Sequence, residues 1–351
     1  MARRHGQQLS RWVAAALALV AGACMVPDPQ PGQTLSHPQP DRMPAAGNTD
    51  LHYVSAGDPR TLDVIRPPSS FTGPRPLIVY VHGGAWLLGD KVGIRYGDAA
   101  PFPCGGLGPC DPVASTPALA KQVERGYVLA SVNYRLAGTA PHPAQVQDVK
   151  LAVKWLRDHA STYGIDPNQV VLAGHSAGGH LAALAALTPG MWEPAGVAQT
   201  TVDGFMALNA PTDLAPWVVD AAANGGPDWI FTAMAALTGC DYRVDVGCAD
   251  DGGPYDQMSP LTYASSGDPP AYLTCKDWDP FIPCEQLDLL HDKLVAVQGG
   301  NQQAAVFDDV NCTDPARVVP CGSEPTEAER HNPDWDLNLV GLQDWLDQVT
   351  N

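Results

Sequence analysis

From Leu51 onward, compact apolar runs alternate with stretches whose apolar residues recur at helical spacing. Pro76–His82 (PLIVYVH), Tyr127–Tyr134 (YVLASVNY) and Gln169–His175 (QVVLAGH) are continuous apolar runs, the pattern of a parallel strand buried on both faces. Val202–Leu208, Ala271–Cys275 and Ala304–Val310 extend the series. Leu51–Ser55 and Thr61–Arg66 flank the turn signal Gly57-Asp58-Pro59 and predict an opening hairpin. Between the strands, Pro143–His159 gathers Val146, Val149, Val153, Trp155 and Leu156 on one broad face and predicts a helix. A closing helix is expected over 335–349. This alternation predicts an α/β domain with a mainly parallel sheet and helices on both faces. Two stretches break it. Gly97–Thr116 reads as a loop insertion, and Pro211–Pro260 carries short helical patterns that suit a cap over a site.

The N-terminus has a different pattern. Arg3, Arg4 and Arg11 form a basic segment ahead of the apolar Trp12–Ala23 (WVAAALALVAGA), which reads as a signal peptide over 1–23. The apolar part is shorter than the roughly 20 residues a spanning helix needs. Ala21-Gly22-Ala23 suits ordinary signal peptidase, releasing a secreted protein. Small residues before Cys24 also suit lipoprotein processing, although Ala21 stands where the usual lipobox has Leu or Val, and this makes Cys24 a lipidation candidate and a candidate membrane tether. Residues 24–50 are Pro-rich, polar and aperiodic, and are expected to be a linker ahead of a domain spanning 51–351.

Charge and cysteines sharpen this picture. Twenty Lys and Arg stand against 38 Asp and Glu, a net charge of −18 that becomes more negative once the arginines of 1–23 are set aside. Such a surface repels phosphate backbones, which excludes nucleic acid as a partner and disfavours strongly anionic substrates. Besides Cys24, the cysteines form neighbouring couples: Cys104/Cys110, Cys240/Cys248, Cys275/Cys284 and Cys312/Cys321. An even set in an exported chain reads as disulfides, with local pairing the simplest arrangement. No CxxC or clustered Cys/His spacing points to a metal.

The chemistry concentrates in two motifs. Gly174-His175-Ser176-Ala177-Gly178 follows the apolar run VVLA and precedes a helical stretch, AGGHLAALAAL, the strand–turn–helix setting of a nucleophile elbow. Taken alone it could be a Gly-rich turn with a solvated serine. His82-Gly83-Gly84-Ala85-Trp86 directly follows the strand PLIVYV, upstream of the serine. There the N–H groups of Gly83 and Gly84 can join that of Ala177 as donors to an oxyanion. Together the motifs identify Ser176 as a nucleophile.

The run HGGAWLLGDK, with SVNYRLAGTAPHPAQVQDVKLAVKWLRDHASTYGIDPNQVVLAGHSAGGHLAALAAL, resembles the hormone-sensitive-lipase-like esterases, in particular their feruloyl-esterase-like and kynurenine-formamidase-like bacterial branch. The resemblance covers about Leu51 to Val349 and is strongest over 76–187. It implies an α/β-hydrolase fold with a mostly parallel eight-stranded sheet, helices on both faces and a small cap insertion near 211–260. It also implies a Ser–acid–His triad with no cofactor. Ala85 stands where many relatives have a third glycine.

In such enzymes the acid follows the serine and the histidine comes last. Lys276-Asp277-Trp278-Asp279-Pro280-Phe281-Ile282-Pro283 resembles the family's acid loop, in which Asp279 is the leading candidate and Asp277 the alternative. After Asp279 come only His291 and His331. His291 lies in a helical pattern, whereas His331 holds the position the resemblance assigns to the base. A Cys275–Cys284 bond would brace the loop bearing the acid. His175 and His180 flank the serine and read as packing residues, with pocket lining the alternative for His180, and the resemblance implies that His82 braces the Gly83–Gly84 turn. Trp86, Trp229 and Trp278 read as core or pocket lining. The expected activity is a serine carboxylesterase acting on small to medium esters through an acyl-enzyme. An amide, formamide or peptide hydrolase with the same triad, or a non-catalytic binding module, are the alternatives.

Overall fold

The computed structural model describes residues 47–91, 117–276, 279, 281–301, 305–310 and 339–350. Its strands are β1 (Gly47–His52), β2 (Thr61–Ile65), β3 (Arg75–Val81), β4 (Val128–Val132), β5 (Ile165–His175), β6 (Gly204–Leu208), β7 (Ala271–Lys276) and β8 (Ala305–Val310). They form an eight-stranded sheet in the order β1-β2-β4-β3-β5-β6-β7-β8. β2 pairs antiparallel with both β1 and β4, and every pairing from β4 across to β8 is parallel. The opening hairpin thus forms one edge, and the continuous apolar runs occupy the middle. β1 opens at Gly47, inside the segment read from sequence as linker. Gly47 pairs with Ile65 and Asn48 with Val64, so the sheet takes in the end of that segment.

The helices are α1 (Pro117–Glu124), α2 (Ala144–Asp158), α3 (Ala160–Tyr163), α4 (Ala177–Leu187), α5 (Leu214–Ala223), α6 (Asp228–Thr238), α7 (Pro260–Tyr263), α8 (Glu285–Val297) and α9 (Leu339–Val349). Alternate residues of each central strand serve opposite faces. Leu77, Val79 and Val81 of β3, with Val170 and Leu172 of β5, pack with Val146, Val149 and Val153 of α2, Leu181 and Leu184 of α4, and Leu287, Leu290 and Leu294 of α8. Ile78, Tyr80, Val171 and Ala173 turn the other way, onto Leu119 and Val123 of α1 and Leu342, Trp345 and Leu346 of α9. Burial on both faces is why these strands read as unbroken apolar runs rather than alternating ones. α4 is buried along its whole length and runs from Ser176 into the centre of the domain.

Between β6 and β7 the chain makes an excursion carrying α5, α6 and α7. Cys240 and Cys248 are disulfide-bonded within it, and Cys275 and Cys284 are bonded where β7 gives way to α8. Both pairings match the local pairing expected from sequence. Cys24, Cys104, Cys110, Cys312 and Cys321 lie outside the described residues.

Candidate active site

Ser176 is the single residue between the end of β5 and the start of α4, and the turn it makes is tight. Its backbone sits at φ 52°, ψ −125°, a left-handed conformation costly for any residue with a side chain. The fold holds it there from both sides. Its N–H donates to Leu208 O at 2.8 Å and its carbonyl accepts from His180 N at 3.0 Å. The turn closes because Gly178 lacks a side chain: a Cβ there would lie 2.0 Å from Val81 O. This close approach brings α4 against the end of β3, and with it the loop that follows β3.

That loop lies beside the serine. A Cβ placed on Gly83 would be 3.4 Å from Ser176 Cβ and 3.0 Å from His175 O. Gly84, Ala85 and Trp86 follow at φ 110°, 51° and 59°, three left-handed residues in succession. Leu87 and Leu88 N–H both return to Gly84 O, at 3.0 and 2.9 Å. Gly84 takes a φ that only glycine adopts freely, and a Cβ there would lie 2.4 Å from Leu88 O. Ala177 is the first residue of α4, so its N–H has no acceptor within the helix.

Two neutral histidines hold this loop. His82 stacks on Tyr134 with ring centroids 4.4 Å apart, and its Nδ1–H donates to Gly83 O at 2.8 Å. Tyr134 Oη donates in turn to His82 O at 3.0 Å. Burial pushes the His82 imidazole below its usual pKa. Trp86 is fully buried, and its Nε1–H donates to His180 Nδ1 at 3.1 Å. His180 Nε2 is 2.8 Å from Met258 O, so the proton resides on Nε2 and is donated to that carbonyl. Desolvation lowers the His180 pKa to about 3. The bracing role read for His82, the packing role read for His180 and a core role for Trp86 agree with this geometry. His175 is half-buried with its Nδ1 against Gly83, closer to the loop than its sequence position suggested.

Asp279 stands on the segment after β7. Its Oδ1 accepts from the backbone N–H groups of Phe281 and Ile282 at 2.8 and 3.1 Å, and its Oδ2 accepts from Asn209 Nδ2 at 2.9 Å. Asn209 is fully buried at the end of β6, with a left-handed φ of 43°. No sequence motif marks it. The available signal was an Asn at a strand end, since Asn is among the few residues that tolerate that φ. The excursion reaches the same segment. Trp217 Nε1 donates to Phe281 O at 2.8 Å, and Trp229 meets the Phe281 ring edge-on at 5.4 Å. Asp277, Trp278 and His331 lie outside the described residues, whereas His291 lies within α8 against Asp292.

Other polar clusters lead elsewhere. Cys240, Asp245 and Cys248 come together, but both sulfurs are committed to a disulfide and cannot ligate a metal. A cleft of about 410 Å³ beside Tyr53, Arg60, Arg135, Asp148 and Trp155 contains none of the residues around Ser176. Its charges pair internally, Arg60 and Arg135 meeting the buried Asp148 at 3.0 and 2.7 Å. His142 packs edge-on against Trp192 at 4.6 Å. Among the described residues both its ring nitrogens are buried without a hydrogen-bond partner, and desolvation lowers its pKa to about 4.

The family model described as BD-FAE matches residues 111–294, just over half of the chain. The chain is 29% identical over 251 residues to Esterase LipQ of Mycobacterium tuberculosis, an alignment covering 71% of this chain and 53% of LipQ. It is 29% identical over 265 residues to Carboxylesterase NlhH of the same organism, covering 72% and 70%. The chain thus spans about half the length of LipQ, and 34% of that of the probable carboxylic ester hydrolase LipM. Among solved structures, a truncated carbohydrate esterase from gut microbiota superimposes with TM-score 0.64 at 20% identity, covering 89% of this chain and 98% of that one. A propionate-bound thermophilic esterase from Thermogutta terrifontis does so with TM-score 0.57 at 20% identity, covering 87% and 95%. At such identity the structural likeness is one of fold. The match across residues 111–294 goes further: the chain belongs to the BD-FAE family, and its fold is an α/β-hydrolase fold.

Proposed function

We propose that the protein is a serine carboxylesterase that hydrolyses small to medium carboxylic esters, with Ser176 as nucleophile, His331 as base and Asp279 as acid. The observation that carries this reading is Ser176 held at φ 52° between β5 and α4, with the Gly83 turn against its Cβ. His331 removes the hydroxyl proton as Ser176 Oγ attacks the ester carbonyl. The carbonyl π electrons move onto oxygen, and the N–H groups of Gly83, Gly84 and Ala177 receive the resulting oxyanion. Collapse expels the alcohol, which takes the proton from His331, and leaves an acyl-enzyme. Water, deprotonated by His331, then attacks the acyl carbon; the acyl–Oγ bond breaks, Ser176 Oγ takes the proton back from His331, and the acid is released.

Asp279 suits the acid's task. Its Oδ1 accepts from two backbone donors and its Oδ2 from the Asn209 amide, which orients the carboxylate toward its task of receiving an imidazole N–H. The names of LipQ and NlhH, an esterase and a carboxylesterase, accord with an ester substrate. The excursion between β6 and β7 then acts as the cap, with Trp229 and Phe281 forming an aromatic wall. Export belongs to the same reading: residues 1–23 serve as signal peptide, and Cys24 is the site of lipidation or follows the cleavage point of a secreted form. The two disulfides support it, and no helix among the described residues is long and apolar enough to cross a membrane.

The test is turnover of p-nitrophenyl acetate and butyrate by the full chain and by Ser176→Ala. Loss of turnover and of fluorophosphonate labelling in the variant is expected. Undiminished turnover in Ser176→Ala would overturn the assignment, and parallel panels of N-formyl aromatics and short peptides separate ester from amide chemistry.

A further inference from the structure

The residue that connects the nucleophile's turn to the acid's loop is neither of them. Asn209 follows β6, and each of its polar links reaches a different part of the site. The carbonyl just before it, Leu208 O, accepts the Ser176 N–H at 2.8 Å. Its own N–H donates to Thr274 O of β7 at 2.8 Å. Its side-chain Nδ2 donates to Asp279 Oδ2 at 2.9 Å. The side chain is wholly buried, and among the described residues its Oδ1 has no hydrogen-bond partner. Its N–H₂ group faces the Asp279 carboxylate, and this charge-assisted hydrogen bond fixes the orientation of the amide. The left-handed backbone at φ 43° is what allows the side chain to leave the strand end toward Asp279.

We infer that Asn209 is a positioning residue for the reaction, holding the Asp279 carboxylate oriented and ionised in register with Ser176. The inference rests on the esterase reading above. Its donor acts on one oxygen of Asp279 while the Phe281 and Ile282 amides act on the other, so the carboxylate plane is set from both ends. Phe281 and Ile282 lie on the acid's own loop. Asn209 is the link from that loop to the neighbouring strand, whose end also receives the nucleophile's N–H.

Two substitutions separate positioning from mere packing. Asn209→Gly removes the amide but accepts the left-handed backbone without strain. Asn209→Asp keeps shape and backbone preference and replaces the N–H₂ with a carboxyl group. Two buried carboxyls in contact share a proton, so at low pH the introduced group donates O–H to Asp279 and stands in for the amide. As pH rises it ionises and repels Asp279. With p-nitrophenyl butyrate and rates normalised to folded protein by near-ultraviolet circular dichroism, Asn209→Gly is expected to lower kcat about 10- to 100-fold with KM within about twofold. That is less than the ~10⁴-fold typical when a triad acid is neutralised. At pH 6 Asn209→Asp is expected to exceed Asn209→Gly at least about tenfold in kcat, and the advantage to shrink as pH rises to 9. Equal rates for the two variants at pH 6, or wild-type kcat in Asn209→Gly, would overturn the inference. The wild type and Ser176→Ala are the controls: if the wild type turns over and Ser176→Ala does not, such results count against Asn209 alone. An inert wild type would remove the esterase reading and this inference with it.

Discussion

Cys275 and Cys284 are joined by a disulfide, and Asp279 lies on the span of chain between them. Cys275 is the buried penultimate residue of β7, and Cys284 immediately precedes α8. The bond therefore clamps both ends of the Asp279 loop to regular structure. Closing so short a loop, with a sequence separation of 9, restricts the unfolded chain by about 2–3 kcal/mol. Replacing both cysteines with serine is expected to cost about that much stability in urea denaturation and also to lower kcat. The Cys240–Cys248 bond closes a loop of similar length, with a separation of 8, but that loop does not contain Asp279. Its removal should cost comparable stability and leave kcat within about twofold. Equal kcat losses from the two double substitutions would show that the Cys275–Cys284 bond does nothing special for the acid.

Trp86→Phe tests the tie between the Gly83 loop and α4. Phenylalanine keeps most of the packing but removes the N–H that His180 Nδ1 accepts, leaving a buried acceptor unsatisfied. The expected cost is about 1–3 kcal/mol in chemical denaturation. Because the loop carries the oxyanion donors in the proposed reaction, kcat is expected to fall about tenfold or more with KM little changed. Loss of one full oxyanion donor costs roughly 10²- to 10³-fold, which sets the upper end. A stability loss with unaltered kcat would confine Trp86 to the core.

His142 makes stability depend on acidity. Its folded pKa of about 4 is below the unfolded value of 6.5, so the unfolded chain binds the extra proton more readily. The group's contribution is thus undiminished above pH 6.5 and is lost as pH falls from there toward 4. His142→Phe removes the proton site and two unpartnered nitrogens. Its stability relative to wild type is expected to be near zero or slightly positive at pH 7, and to grow to about 2 kcal/mol at pH 5. Urea denaturation of both proteins across that range measures the difference. His180 titrates in the same direction in both proteins and so cancels. A stability difference that does not change between pH 7 and 5 would contradict the lowered His142 pKa.

Local rules carried much of the reading from sequence. β3, β4 and β5 were legible to within a few residues because burial on both faces leaves no polar gap to misplace a boundary. The elbow was legible because so tight a turn needs residues without side chains where strands and helices cross, and Gly178 shows that need directly against Val81. β1 was the reverse case. Its first residues sit in a Pro-rich, aperiodic stretch, and only pairing with Val64 and Ile65 makes them strand. Asn209 escaped notice for a related reason. Nothing local marks it, and its partner Asp279 lies 70 residues further along the chain. Contacts of that kind are set by the order of strands in the sheet, which the periodicity of single segments does not contain.

The parallel strands β3, β5, β6 and β7 lie side by side, and each ends in one part of the site: the Gly83 turn, Ser176, Asn209 and the Asp279 loop. No two of these parts come from consecutive stretches of the same hairpin, so none can form by local zipping. Parallel pairings between distant segments close slowly, because chain entropy is lost before the contacts reward it. Refolding followed by helical circular dichroism should therefore run ahead of refolding followed by fluorophosphonate capture at Ser176. A labelled serine then reports a chain whose central strands have all arrived, and it can serve as a clock for the last stage of assembly.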